Sequence, residues 1–389
     1  MNTEKILLDL IKCVIVPQSN VMIDSSLLTT NRQKELFVLS KRHDLAHLIG
    51  YQLNKMGALV EDILIEKFNE EQFMAVFRYE RINHEYQNIR SLFNDNNISY
   101  IPLKGSVIRN LYPESWMRTS CDIDVLVKEE DVQRSANLLV DKFNYKKGKL
   151  DYHDISLISP SDIHLELHYS LCENIESIDK LLVKVWDYSF KVQDSNEFRM
   201  SNEYFIFHII AHMMYHFVGG GCGVRTLIDL YLIRKNLNYD EQKLFEMLEN
   251  CGVKKFYVEM VNLIQVWFEN GTHSELSLEL EKFILSGGVY GVAENKFAIM
   301  KTKGNKKSYL MSRIFVPYNV LKNKYPVLKK HKWLTPLYQL KRWFSLLFAG
   351  KFKKAKKEIK SFGSVPNEKV ISITKMFNEL GLNLDEKEN

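Results

Sequence analysis

Two aspartates, Asp122 and Asp124 in the run CDIDVLV, have the clearest capacity for chemistry in this 389-residue chain. Side chains alternate along a strand, so both carboxylates face one side while Ile123 and Val125 face the other. Like charges this close repel unless a cation sits between them. Oxygen ligands at this spacing suit Mg²⁺, or Mn²⁺, which takes one or two carboxylates and leaves room for substrate phosphates. A bare DxD is common by chance, and its plain reading is a solvated strand edge. The surrounding sequence has to carry the case.

Upstream, the β-rich run ISYIPL ends in Lys104-Gly105-Ser106, followed by the short helical run VIRNLY that Pro113 closes. Glycine lets backbone N–H groups approach a phosphate, and Ser106 can donate its hydroxyl to one. Lys104 stands at this turn, and Arg118 lies between it and the aspartates. Their plain readings are a solvated lysine at a strand end and a salt bridge from Arg118 to Asp122 or Glu114. Downstream, SDIHLELHYSL alternates so that Asp162, His164, Glu166 and His168 share a face. Glu166, in mid-strand, is preferred over Asp162 as a third carboxylate. The HxExH pattern of His164 and His168 could ligate zinc or manganese. The favoured reading is that they line the pocket or bond to neighbours.

Further along, His208, His212 and His216 recur every four residues on one helix face. One helix converges poorly on a metal from such a row, so a pocket wall is expected. Arg225 and Asp229 stand one turn apart and are expected to pair, with an Arg225–nucleotide contact as the alternative. Gly219-Gly220-Gly221-Cys222-Gly223 lacks the GK[ST] of a P-loop and reads as a connection between helices.

These residues need a scaffold, and the sequence sketches one. Residues 1–95 have helical periodicity, 96–175 run strand, helix, strand, helix, strand, strand, and the chain beyond 176 is helical again. The expected class is α+β, divided as 1–95, 96–175, 176–285 and a basic helical region 286–389. A composition of 46% hydrophobic and 26% charged residues excludes disordered and fibrous classes. Five scattered cysteines without a CxxC pair exclude a disulfide scaffold and a zinc ribbon. The N-terminal run is broken by Asp9 and Lys12 and does not read as a signal peptide. Tyr204–Val224 is uncharged and long enough to span a bilayer, but its histidines and glycines favour a buried helix. A cytoplasmic location is expected.

Charge is unevenly placed. Residues 301–360 hold 18 Lys/Arg and one acid, Glu358, for +17, which leaves −12 on the rest of a chain of net +5. Leu337, Leu340, Phe344, Leu347 and Phe348 make a helical stripe beside these cations. The plain reading is a terminal helix packed on the body. Peripheral contact of 321–360 with an anionic membrane, on its inner face, is second, and nucleic acid is a further alternative.

The core resembles the polymerase-β-type nucleotidyltransferase superfamily, and more closely a bacterial branch known as the uncharacterised nucleotidyltransferase family. The resemblance rests on Leu103-Lys104-Gly105, Leu111-Tyr112-Pro113, Arg118, Asp122-Ile123-Asp124-Val125-Leu126-Val127 and Glu166-Leu167-His168. Weaker likeness extends to Lys41-Arg42-His43, Gly223-Val224-Arg225 with Asp229, and Tyr325-Pro326. It implies a small nucleotidyltransferase sheet between helical regions. Asp122 and Asp124 would hold metals that bridge nucleotide phosphates, and Glu166 would complete the site beside the acceptor. Gly105 and Ser106 would hold the β- and γ-phosphates, with Lys104 and Arg118 neutralising charge. The implied partners are an NTP, ATP by default, and an acceptor of unknown identity: a small molecule, sugar, lipid-linked group or peptide. The alternatives are a toxin-like modifier of tRNA and a non-catalytic binding protein of the same fold. Three clustered acids argue against the last.

Overall fold

The computed structural model describes residues 2–59, 61–150, 153–289, 291–302, 311, 314–348 and 361–382. Five strands form one sheet: β1 (Tyr100–Pro102), β2 (Asp122–Val127), β3 (Lys146–Leu150), β4 (Asp154–Ile158) and β5 (His164–His168). Their spatial order is β1-β2-β5-β4-β3. Only β2 and β5 pair in parallel; the other neighbours are antiparallel. A parallel pair cannot be closed by a tight turn, and here the crossover carries a helix and the strands β3 and β4.

The alternation of each strand decides what each face does. Ile123, Val125 and Val127 of β2, Leu165 and Leu167 of β5, and Ile155 and Leu157 of β4 all enter one apolar core. Two helices cover it. The long α4 (Asp62–Asp95) contributes Ile82, Ile89, Leu92 and Phe93, and α6 (Val132–Phe143) contributes Val132, Ala136 and Leu139. Each fully buried aliphatic side chain stabilises this layer by about 1.5–3 kcal/mol. Asn144 in the left-handed region (φ 55°) ends α6 and turns the chain into β3. The opposite face of the sheet keeps its polar side chains.

Helices α1 (Thr3–Ile15), α2 (Thr30–Arg42) and α3 (Ala46–Lys55) precede α4. The short α5 (Gly105–Ile108) lies between β1 and β2. After the sheet come α7 (Glu176–Leu182), a two-stranded hairpin β6 (Ser189–Lys191) with β7 (Phe198–Met200), then α8 (Asn202–Gly219), α9 (Val224–Asn236), α10 (Glu241–Asn250), α11 (Lys254–Phe268), α12 (Glu275–Leu285) and α13 (Ala293–Thr302). The chain packs as two compact units, 1–215 with 222–290, and 216–221 with 291–389. Among the described residues, the second unit holds α13 and further helices that include Thr335–Phe348 and Asn367–Glu379.

The α+β class and its helical flanks are as expected. Two strand features were not. Strand β3 has five exposed residues, KKGKL, and so no apolar alternation to betray it. The β6–β7 hairpin lies in a stretch read as helical. The uncharged run from Tyr204 is a buried helix, with Tyr204, Ile206, Phe207 and Ile210 fully enclosed. Among the described residues, no helix is long and apolar enough to cross a membrane. Residues 349–360, most of the lysine-rich tract, lie outside the described residues.

Candidate active site

The polar face of the sheet carries the sequence candidates in three rows. Register places Asp122 beside His164, Asp124 beside Glu166, and Leu126 beside His168 across the β2–β5 pair. Strand β4 extends two rows, with Ser156 beside Glu166 and Asp154 beside His168. The parallel pairing thus brings the DID and HLELH runs onto one ledge.

The turn above this ledge is held from several sides. The Leu103 amide donates to the Asp124 carbonyl at 3.1 Å, which ties the turn to β2. Lys104 has φ 39°, ψ −108°, a conformation a side-chain-bearing residue adopts only under external constraint. Arg109 Nε donates to the Gly105 carbonyl at 2.7 Å, and its Nη2 to Ser120 Oγ at 2.8 Å. A side chain at Gly105 would meet Arg118 Nη1 at 2.7 Å. Gly105 is therefore required by close packing.

Arg118 differs from expectation. It pairs with neither Asp122 nor Glu114. Its Nε and Nη2 donate to the two carboxylate oxygens of Asp229 at 2.9 and 2.8 Å, in a buried bidentate pair. Tyr112 donates its hydroxyl to the same carboxylate at 2.7 Å. The expected Arg225–Asp229 pair is not made. Arg225 instead reaches Asp44 at 3.0 Å and the Thr119 carbonyl at 2.9 Å, joining the α2–α3 connection to the segment before β2. Arg118 sets its fixed fork on a buried carboxylate, and Arg225 reaches the half-buried Asp44 and the buried Thr119 through Nη1 alone. An i,i+4 pair on a helix surface is far weaker.

The ledge has a definite charge pattern. Lys104 Nζ lies 3.4 Å from Asp124 Oδ1, so it is not a solvated lysine. His168 Nε2 lies 2.9 Å from the same oxygen and 3.5 Å from Glu166 Oε2. Burial would raise the Asp124 carboxyl, but Lys104 and His168 outweigh it and hold Asp124 well below the usual carboxylate range. Burial opposes the charge on His168, yet its bonds to Asp124 and Glu166 raise its pKa. The His168 bond likewise lowers Glu166. Asp122 behaves oppositely: burial, with Asp124 and Glu166 nearby, pushes its carboxyl up. Two carboxylates are thus compensated, and the third only in part, by Lys104 and His164.

The remaining candidates form a surround. His164 bonds Ser156 at 2.6 Å and lies 3.8 Å from Glu166. His212 on α8 bonds Glu173 at 2.8 Å. One turn earlier, burial and the His212 charge push His208 well below the ordinary histidine value. His164 thus bonds Ser156, and His168 bonds Asp124. Sequence reasoning missed His153 and Asp154, which pair at 3.0 Å beside His168, and Glu173. Asp154 could have been found only from its register with His168, which requires knowing that β4 pairs with β5.

Donor atoms of Asp124, Glu166 and His168 converge within 4.8 Å, as do those of His153, Asp154 and His168. The donor set fits a divalent cation. Oxygen donors dominate, Asp122 has no hydrogen-bond partner among the described residues, and the buried His168 Nδ1 has none either. A nitrogen among the oxygens suits Mn²⁺ at least as well as Mg²⁺.

An α+β scaffold with a Lys-Gly-Ser turn above a carboxylate ledge defines a nucleotidyltransferase-type protein. Residues 29–269 match the family described as "Uncharacterised nucleotidyltransferase", and the chain belongs to it. The match runs from the cap of α2 to the end of α11 and includes the whole ledge. No curated protein and no solved structure matches the chain.

Proposed function

We propose that the chain transfers a nucleoside monophosphate from an NTP to an acceptor hydroxyl or phosphate, releasing pyrophosphate, with Mg²⁺ or Mn²⁺ as cofactor. The observation that carries this reading is the register that sets Asp122, Asp124 and Glu166 on one face, beneath the Lys104-Gly105-Ser106 turn. Asp122, Asp124 and Glu166 would hold the cation, which when bound neutralises the phosphates and stabilises attacking and leaving oxygens.

The chain's own residues do the rest. Glu166 accepts the proton of an incoming hydroxyl as its oxygen bonds the α-phosphorus and the bond to pyrophosphate breaks. Ser106 donates its hydroxyl to the departing phosphates. Lys104 leaves Asp124 for those phosphates when cation and nucleotide arrive, so its charge is redeployed to where negative charge grows. Arg118 is committed to Asp229 and serves as a positioning residue that holds the turn. ATP is the first donor to test.

The test is calorimetric titration of each of the four NTPs, with and without Mg²⁺, on wild type and on Asp122→Asn/Asp124→Asn, alongside a pyrophosphate-release assay. Saturable, metal-dependent binding lost in the double variant is expected. Binding that survives the double substitution, or turnover in it, would overturn the reading.

A further inference from the structure

The helix Thr335–Phe348 is turned the wrong way round for a helix packed only on its own protein. Leu337, Leu340 and Phe344 lie at i, i+3 and i+7, the spacing of a core-facing stripe. Yet they are 62%, 46% and 59% exposed, while the polar Gln339 between them is 8% exposed. Trp333, at the turn before the helix, is 76% exposed. Inside the same unit, Leu321 and Leu328 are fully buried, so the layer already has an apolar interior and presents a second apolar face outward.

The charge around that face is one-sided. From Met311 to Phe344 the sequence has eight Lys/Arg and no acidic residue. Several of these cations are held against aromatic rings: Lys332 Nζ lies 5.0 Å from the Tyr318 centroid, and Lys341 lies 5.5 Å from Tyr338. An exposed apolar stripe with tryptophan and cations at its rim matches a bilayer boundary. There aliphatic side chains enter the acyl region, aromatic rings sit at the headgroups, and lysines meet anionic lipid. A nucleic acid would use the lysines but has no use for exposed leucines. We infer that this surface docks the protein on the anionic face of a lipid bilayer, lying in the interface without crossing it. The inference is independent of the catalytic reading.

Flotation of the full chain with vesicles tests it. Vesicles of phosphatidylcholine mixed with phosphatidylglycerol are expected to carry the protein at low salt, and pure phosphatidylcholine vesicles to carry much less. Leu337→Glu/Phe344→Glu is expected to weaken anionic-vesicle binding roughly tenfold or more, since each withheld apolar side chain amounts to about that factor. Both side chains point outward, so its thermal midpoint and nucleotide titration should match wild type. Absence of flotation with anionic vesicles overturns the inference, as does flotation unaffected by the double substitution. So does salt-dependent RNA retention that the substitution leaves intact without vesicle binding. A wild-type dimer that the substitution dissociates, again without vesicle binding, would assign the face to a second copy of the chain.

Discussion

Gly105 shows how little slack the Lys104-Gly105-Ser106 turn has. A methyl group there would stand 2.7 Å from Arg118 Nη1, and Arg118 cannot retreat because Asp229 holds it by two bonds. Gly105→Ala is therefore expected to weaken NTP binding about tenfold or more, in line with the geometric tolerance of binding turns. Titration beside an unchanged circular-dichroism spectrum would check this. Asp229→Asn acts one step deeper. It removes the charge that Arg118 and Tyr112 share, and breaking a buried pair on one side costs about 3–5 kcal/mol. Urea unfolding should show that loss, and an unchanged midpoint would refute it. Asp122→Asn should separate stability from function. Burial and the like charges of Asp124 and Glu166 outweigh Lys104 and His164 at its carboxyl, so the variant is expected to unfold no earlier than wild type while losing turnover.

At the scale of elements, the ledge was legible because polar and core positions alternate within the same strands. DIDVLV and HLELH each write both faces, and the pairing of β2 with β5 needed only to bring them together. What stayed hidden was whatever no local pattern encodes. Strand β3 is an edge of exposed lysines and glycine, a composition that guards an open edge from pairing and erases the strand signal. The partners of Arg118 and Arg225 lie 111 and 181 residues away, beyond the reach of helical spacing rules. The same holds for the tie between α4 and the sheet. There Glu85 accepts the Tyr145 hydroxyl at 2.8 Å and the Ser161 hydroxyl at 2.5 Å. Glu85→Ala strands the buried Tyr145 hydroxyl and should cost about 1–3 kcal/mol in urea unfolding, with NTP affinity nearly unchanged because the tie lies on the core side.

Across the molecule, three buried histidines set a response to acid. His43 bonds the Leu285 carbonyl, His47 the Met117 carbonyl, and His208 lies on α8. Burial lowers all three below the ordinary value of 6.5. They remain neutral in the fold while the unfolded chain takes up protons, so stability is full above 6.5 and falls below it. His168 has the opposite sign: its contribution is full below the unfolded value and fades as pH rises through the raised one. Three groups against one predict a urea midpoint that declines between about pH 7.5 and 5.5, at up to about 1.4 kcal/mol per unit for each group. A flat profile would contradict it. The parallel β2–β5 pair also has a consequence in time. His168 meets Asp124 across 44 residues, and contacts so distant along the chain close late. A chain still being synthesised would carry its two aspartates, already positioned by a strand, well before the third carboxylate arrives. On the proposed function the ledge would be incomplete until its last central strand inserts, and a cation recruited to the complete ledge would act as a latch that favours the finished sheet over its half-built precursors.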